Sequence, residues 1–359
     1  MFIERAPSNV DLAELLARAA EQETAHRRRA LHGASRAAMF GWTEQAAAVL
    51  ERGGSLTELW RVGPWVAGML MEWVEDPPEV PEPPSLRRGF LTRADVDGAL
   101  AGHDDWRDEL RADLQMHTTY SDGAIPLAGM VEAAGERGYQ YVGITDHSQG
   151  LPIANGMDED RLARQADDIA ALNRSLQAAG RGPRVLHSIE MNLSPEGEGD
   201  MDPEALARLD LVLGAFHSKL RLTEDQTERY LAAVRNPTIN VLAHPRCRMF
   251  DRRAGLQADW PRVFEAAADA GTAVEIDASP YRQDLDVELL TVARETGVRI
   301  SIGTDAHSVR ELEYMDYGLA AAILAGIPRD RILNFQPVDE VLAWAAERRH
   351  RPMGGRSVS

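Results

Sequence analysis

Ala112-Asp113-Leu114-Gln115-Met116-His117-Thr118 is a short, mostly apolar run that ends in polar residues, and its composition predicts a β-strand. Six further strand-like runs follow, at residues 141–145, 184–190, 211–216, 240–243, 273–276 and 299–303. Amphipathic stretches separate most of them, for example residues 126–137, 160–177, 260–270 and 287–296. This alternation predicts an α/β fold with parallel strands joined by helical crossovers. About seven units in roughly 240 residues favour a distorted (β/α)7 barrel.

The chain before residue 77 has a different pattern. Leu12, Leu15 and Leu16 recur at helical spacing, and Ser55 with Glu58 three residues later is typical of a helix start. Residues 76–84 then contain five prolines, which predict a stiff linker. We therefore expect a helical domain at 1–76, a linker and connecting segment at 77–110, a catalytic domain at 111–350 and a flexible tail at 351–359.

Composition limits the functional classes. The net charge of −18 argues against a surface built for general nucleic-acid binding, although a local basic groove is compatible with it. The one cysteine, Cys247, fits a reducing compartment. Neither a signal peptide nor an apolar run near the ~20 residues of a membrane helix is visible. A cytoplasmic protein without a membrane partner is the expectation.

Histidines and carboxylates follow the predicted strands. The residues at or just beyond strand ends are His117, Asp122, Asp146, His147, Glu190, His217, His244, Asp305 and His307. Because the carboxyl ends of parallel strands meet at one face of a barrel, these side chains should converge in one pocket. Imidazoles and carboxylates together are the donors that zinc, manganese and iron prefer.

Each of these residues also has a local explanation. A single histidine after a strand is often a hydrogen-bonding residue, Asp122 before Gly123 is typical of a turn, and Asp305 is able to cap a helix. Five strand ends that each supply a histidine are hard to explain in this way. The joint pattern therefore favours a metal centre.

Six ordered motifs resemble those of the polymerase-and-histidinol-phosphatase (PHP) family. They are residues 113–123 (DLQMHTTYSDG), 144–147 (ITDH), 189–192 (IEMN), 215–218 (AFHS), 242–245 (LAHP) and 303–307 (GTDAH). The resemblance extends over about residues 111–349, and it is strongest to the C-terminal domain of bacterial family X DNA polymerases. It implies a distorted seven-unit barrel with two to three divalent transition-metal ions, such as Zn, Mn or Fe.

The resemblance also implies three ligand sets. They are His117, Glu190 and Asp305; Glu190, as a bridge, with His217 and His244; and Asp122, His147 and His307. Glu190, His244 and Asp305 are expected to be essential for catalysis. Gln115 stands where the family has the first histidine of a His-x-His pair, and its amide oxygen would be a weaker, harder ligand. Asp146 is expected to orient a ligand rather than to bind metal.

Four cations near strand ends are candidates for phosphate binding: Lys219, Arg246, Arg248 and Arg282. A solvated surface charge remains the alternative for each of them.

Residues 56–70 resemble, more weakly, a helix-hairpin-helix of the same polymerases, with Arg61 in place of the first glycine. Trp60, Trp65 and Trp73 are expected to pack in a small core. The linker leaves no room for a polymerase palm, so polymerase activity is not expected. The predicted function is hydrolysis of phosphate esters by a metal-activated water, as a 3′-5′ exonuclease or in 3′-end processing of DNA. A small-molecule phosphatase of histidinol-phosphate type and a non-catalytic PHP module are the alternatives.

Overall fold

The computed structural model describes residues 6–350, and the chain divides into two compact units between Gly102 and His103. The first unit is helical, with α1 (Asn9–Glu21), α2 (Ala25–Phe40), α3 (Ala46–Glu51), α4 (Pro64–Glu75), α5 (Arg93–Leu100) and a 3₁₀ turn (Leu56–Glu58). The helix start expected at Ser55 is confirmed. Ser55 Oγ accepts the Thr57 N–H, and the Glu58 carboxylate accepts the Ser55 N–H, which begins the 3₁₀ turn.

The core of the first unit forms mainly between α1 and α2, where Leu12 and Leu31 are fully buried. Trp42 is also buried and donates its indole N–H to the Trp60 carbonyl at 2.9 Å. The side chains of Trp60 and Trp65, however, are 58% and 37% exposed. The expectation that these two rings pack in a core is therefore wrong.

The proline-rich stretch at residues 77–84 has neither helix nor strand. Just beyond it, Arg87 pairs with Glu14 of α1 at 2.6 Å, which anchors this segment to the first unit. Helix α5, within the predicted connecting segment, belongs to the same unit.

The second unit contains seven parallel strands that neighbour one another in sequence order. The strands are β1 (Ala112–Met116), β2 (Tyr141–Ile144), β3 (Arg184–Leu193), β4 (Leu211–Phe216), β5 (Val241–Leu242), β6 (Ala273–Asp277) and β7 (Ile300–Gly303). The helices are α6 (Asp104–Glu109), α7 (Leu127–Glu136), α8 (Glu159–Ala179), α9 (Pro203–Leu206), α10 (Thr227–Arg235), α11 (Trp260–Ala270), α12 (Val287–Thr296), α13 (Met315–Ala325) and α14 (Val338–His350). The predicted α/β barrel is confirmed. The predicted tail, 351–359, lies outside the described residues.

The barrel closes between β1 and β7 without a continuous backbone ladder. At the carboxyl end, the His117 N–H donates to the Ala306 carbonyl at 2.9 Å. Nearer the amino end, the Asn334 side-chain amide donates to the carbonyls of Ala112 and Ile302 at 2.9 and 2.8 Å. Its Oδ1 also accepts the Ile302 N–H. One asparagine thus joins the two edge strands where their own backbone bonds are missing.

An apolar cluster fills the amino-terminal part of the barrel and includes Leu114, Leu213, Val241 and, from α14, Val341. Polar side chains are thereby concentrated at the carboxyl ends of the strands. Among residues 6–350, every helix is too short or too polar to cross a bilayer.

Candidate metal centre

The predicted ligands gather at the carboxyl ends of the strands. His117 and Asp122 follow β1, His147 follows β2, Glu190 lies in β3, His217 follows β4, His244 follows β5, and Asp305 and His307 follow β7. The converging geometry of parallel strands brings together residues that are almost 200 positions apart in the chain.

Glu190 is the centre of the arrangement. Its Oε1 lies 2.7 Å from His244 Nε2 and 3.1 Å from His217 Nε2. Its Oε2 lies 3.2 Å from His147 Nδ1 and 3.4 Å from His117 Nε2. One fully buried carboxylate therefore contacts four imidazoles, which suits a bridging ligand between cations.

Three groups of donor atoms are close enough to hold one ion each. The first cluster consists of His117, Glu190 and Asp305. The second consists of Glu190, His147 and His217, and His244 contacts the same carboxylate. The third consists of Asp122, His147 and His307, with His117 beside them. His117 Nε2 is 3.0 Å from Asp305 Oδ1, and Asp122 Oδ1 is 3.2 Å from His307 Nε2. The structure thus brings together all eight of the histidines and carboxylates predicted as ligands.

Two of these residues have unusual backbone conformations. His244 and Asp305 have φ angles of +28° and +52°, a region that residues other than glycine rarely adopt. Strain of this kind is maintained where the surrounding structure fixes a functional side chain. Gly123 allows the loop that carries Asp122 to pack closely against the end of β1. A Cβ at this position would lie 2.6 Å from the His117 carbonyl and prevent that contact.

The charges of the centre are strongly coupled. Burial alone would raise the pKa of Glu190, but the charge of His147 and hydrogen bonds from His217 and His244 hold it well below its usual range. Burial lowers the pKa of His147 to about 4. Burial also opposes protonation of His307, yet its hydrogen bond to Asp122 and the nearby carboxylate charges raise its pKa to about 10. The ion pair of Asp122 and His307 balances part of the negative charge of the centre.

Residues 113–279 match the family model described as the PHP domain. The chain contains a PHP domain. Over 237 residues it is 38% identical to the "DNA polymerase/3'-5' exonuclease PolX" of Bacillus subtilis, covering 66% of this chain but only 41% of that protein. It is 25% identical over 265 residues to the "Probable phosphatase TTE1963" of Caldanaerobacter subterraneus, covering 70% of this chain and 98% of that protein.

Among solved structures, a histidinol phosphate phosphatase from Lactococcus lactis, complexed with zinc, L-histidinol and phosphate, aligns with 61% of this chain and 95% of its own. The TM-score is 0.41 and the sequence identity 16%. The PHP domain of the chain is that of a metal-dependent phosphoric ester hydrolase. The non-catalytic alternative is left without support.

Gln115 lies within an irregular part of β1 of the PHP domain. Asp113 pairs with Val142 and Met116 with Ile144, so β1 has one more residue than β2 in this interval and forms a bulge. The Gln115 side chain is fully buried, and neither its Oε1 nor its Nε2 has a hydrogen-bond partner among the described residues.

Asp146 accepts hydrogen bonds from the loop after β1, whereas its neighbour His147 contacts Glu190. Its carboxylate accepts the N–H and O–H groups of both Thr118 and Ser121 at 2.5–3.1 Å, and the Gln165 amide at 2.7 Å. These bonds fix the start of the loop between His117 and Asp122. Asp146 thus positions a ligand-bearing loop.

Of the four predicted phosphate-binding cations, Arg282 lies against the centre. Its guanidinium is 3.3 Å from Asp305 Oδ2 and 3.4 Å from Asp277 Oδ2. Arg246 and Arg248 instead both pair with Asp286, at 2.6 and 2.5 Å.

Lys219 is exposed, two residues after His217, and makes no hydrogen bond or ion pair within residues 6–350.

Three residues of the centre were not singled out from the sequence. Glu275 and Asp277 are fully buried acids of β6, and Glu275 accepts the His244 backbone N–H at 2.8 Å. Burial, followed by the charge of Asp277, raises the pKa of Glu275 well above its usual value. Asn192 accepts the His217 Nδ1–H at 3.2 Å, which directs Nε2 towards Glu190. The sequence signal for Glu275 and Asp277 was a pair of acidic residues two positions apart in an otherwise apolar strand.

Proposed function

We propose that the PHP domain hydrolyses phosphodiesters at the 3′ ends of DNA, with the three clusters as its cation sites. The observation that carries the proposal is the position of Glu190, a buried carboxylate in contact with four imidazoles. Divalent cations bound there would neutralise phosphate charge and lower the pKa of a bound water.

The donor atoms suit such cations. His117 Nε2, His147 Nδ1 and Glu190 Oε2 are buried and lie 3.0–3.4 Å from one another or from Asp305, but none of them makes a hydrogen bond of good geometry among the described residues. Leaving buried polar atoms unpaired costs about 1–3 kcal/mol each, which a bound cation would offset. Mixed imidazole and carboxylate donors support zinc, manganese or iron, and the clusters support two to three ions.

The chain's own groups would orient the reaction. Asn192 fixes the tautomer of His217, and Asp146 fixes the loop that carries Asp122. Arg282 holds Asp305 in place and supplies a guanidinium suited to bidentate recognition of phosphate.

The preference for DNA is supported by the first unit. Helix α2 contains four arginines and no acidic residue in a chain of net charge −18. Arg27 of this helix lies 4.9 Å from the Trp65 ring, and Arg61 lies 4.9 Å from the Trp60 ring. Exposed tryptophans with arginines are the groups on which unpaired bases stack, and the arginines attract phosphate. The 38% identity to a protein named as a 3′-5′ exonuclease agrees with this substrate.

The turn in this region also supports a helix-hairpin-helix origin. Arg61, at the position where the related polymerases have glycine, has a φ of +63°, which is the conformation glycine favours. Helix α4 then begins at Pro64.

A small-molecule phosphatase is the second candidate. The chain resembles a protein named as a probable phosphatase over 98% of that protein's length. The acidic charge of the chain favours this candidate over a polyanionic substrate.

One experiment separates the two candidates. Hydrolysis of a 3′-recessed DNA duplex and of histidinol phosphate should be measured with added Mn²⁺ or Zn²⁺. The Glu190→Gln variant provides the inactive reference, and Glu132→Gln, an exposed position in α7, is the matched control. Release of nucleotides from the 3′ end, lost only in Glu190→Gln, would support the proposal. Turnover of histidinol phosphate with intact DNA would favour the second candidate, and no turnover of either substrate would contradict both.

A further inference from the structure

His217 and His244 lie beyond the backbone ladder that joins their strands. The ladder between β4 and β5 ends with the pair Gly214 and Leu242, and the Ala243 N–H donates to the Gly214 carbonyl at 3.0 Å. Neither histidine occupies a paired position, yet both imidazoles contact the same carboxylate oxygen of the second cluster. Contacts outside the sheet must therefore fix the two loops that carry them.

Two consecutive residues of α10 bind these loops. Arg229 Nη2 donates to the carbonyl of Ser218, which follows the histidine of β4, at 2.9 Å. The Tyr230 hydroxyl donates to the carbonyl of Pro245, which follows the histidine of β5, at 2.5 Å. One turn of one helix thus binds the backbone beside both ligands.

Packing keeps the two donors in place. Tyr230 is fully buried, and Arg229 is only 6% exposed. The Arg229 guanidinium lies 4.0 Å from the centre of the Phe216 ring, which meets the Tyr230 ring edge-on at 5.6 Å. The Tyr230 ring also lies 4.8 Å from that of Trp260 in α11. Side chains in such a close-packed interior have little freedom to move, so both hydrogen bonds are held in a fixed direction.

The two histidines differ in what orients their rings. His217 Nδ1 lies 3.2 Å from Asn192 Oδ1. His244 Nδ1 is buried and makes no hydrogen bond within residues 6–350, so the direction of this ring depends on its backbone, which has a φ of +28°. That backbone is bound on one side by Glu275 Oε2, which accepts the N–H at 2.8 Å, and one residue later by the Tyr230 hydroxyl.

We propose that Arg229 and Tyr230 are positioning residues of the second cluster, which hold its two loop histidines so that both imidazoles reach one cation. The inference rests on the cation sites of the proposed function. Groups that orient a metal ligand contribute a factor of about 10–100 to metal affinity. Because Arg229 and Tyr230 act through a backbone carbonyl, we expect about tenfold for each of them, at this cluster alone.

The test is a titration of metal-stripped, full-length protein with Co²⁺, followed by the visible absorption that this ion acquires from nitrogen and oxygen ligands. Tyr230→Phe removes the hydroxyl and keeps the ring, and Arg229→Met keeps the aliphatic stem. Each variant should weaken the same single equivalent of Co²⁺ about tenfold and change its absorption band, while the remaining equivalents bind as in the wild type.

Tyr141→Phe is the matched control. Tyr141 is also fully buried, and its hydroxyl donates to the carbonyls of Leu333 and Gln336 at 3.0 and 2.9 Å, at the amino end of the barrel. Its melting temperature should fall about as much as that of Tyr230→Phe, because both variants lose a buried hydrogen bond. Its Co²⁺ titration should be that of the wild type.

Unchanged Co²⁺ binding in either Tyr230→Phe or Arg229→Met would overturn the inference while leaving the proposed function intact. Equal weakening of every equivalent, or the same weakening in Tyr141→Phe, would overturn it too, because a general structural defect would have that effect. Wild-type protein that binds no Co²⁺ would overturn the inference and the proposed cation sites together.

Discussion

Cation binding at the third cluster should release a proton from His307. His307 Nε2 faces Asp122 Oδ1 at 3.2 Å, and Nδ1 donates to the Asp305 carbonyl at 2.8 Å. Burial opposes the charged ring, but the bond to Asp122 and the charges of Asp305 and Asp122 raise the pKa of His307 to about 10. A histidine must be neutral to bind a metal through this nitrogen. The proton and the cation therefore compete for the same atom.

The size of the effect follows from the pKa. A pH of 7 is about three units below the pKa of the ring, and each unit corresponds to about 1.4 kcal/mol. Deprotonation therefore makes the free energy of cation binding less favourable by at most ~4 kcal/mol. The ring is 30% exposed, and screening by solvent reduces this figure. Affinity at the third cluster should rise by up to tenfold per pH unit from about pH 7 and level off near pH 10.

Isothermal titration calorimetry with Mn²⁺ measures the proton directly, when it is carried out in two buffers of different ionisation enthalpy. About one proton per chain should be released by the wild type near pH 7, and none from this cluster by His307→Gln. His187→Gln is the matched control, because burial lowers the pKa of His187 to about 4 and that ring is already neutral. Equal proton release by wild type and His307→Gln, or affinity without pH dependence, would refute the reasoning.

Four further outcomes are expected. The thermal stability of metal-stripped protein should fall as pH rises from about 6.5 to 10. The pKa of His307 is higher in the folded than in the unfolded protein, so this ring stabilises the fold only while it is protonated. A melting temperature that does not change with pH would contradict this. Glu190→Ala and His244→Ala should each lower aryl phosphate hydrolysis by about three orders of magnitude with unchanged circular dichroism, and near-wild-type rates would show that the site is misplaced. Elemental analysis after reconstitution should find two to three ions per chain, and fewer than one would exclude a multinuclear centre. Deleting residues 1–102 should leave aryl phosphate hydrolysis nearly unchanged but weaken DNA binding and its salt dependence, whereas equal DNA binding would remove the role of the first unit.

The sequence predicted much of the barrel because parallel strands and crossover helices leave a strong pattern. The structure has α11 (Trp260–Ala270), α12 (Val287–Thr296) and β4 (Leu211–Phe216) where the pattern placed them. Strand β5 is shorter than predicted, with two residues, because the Asn240 side chain takes the place of a backbone group and accepts the Val212 N–H at 3.0 Å. A side chain that imitates the backbone in this way has no signature in hydrophobic periodicity.

The convergence of the ligands was equally predictable, since it follows from strand direction alone. The ion-pair partners of Arg246 and Arg248 were not predictable from the sequence. Asp286, the shared partner of Arg246 and Arg248, is about 40 residues further along the chain, and nothing local in the sequence connects them. The exposure of Trp60 also depends on packing, because Trp42, which has the same side chain, is buried while Trp60 is 58% exposed.

Position 115 lies beside the seam of the barrel, where β1 and β7 lack a continuous backbone ladder. The first cluster draws His117 from β1 and Asp305 from the end of β7, so it spans the one junction where the strands lack a continuous ladder. Its geometry therefore depends on side chains such as Asn334 and on the bulge in β1, more than on regular strand pairing. The second cluster is centred on Glu190 in a regular ladder between β3 and β4, which leaves little freedom for a different donor. A glutamine is thus accommodated at the junction, where side-chain contacts set the geometry.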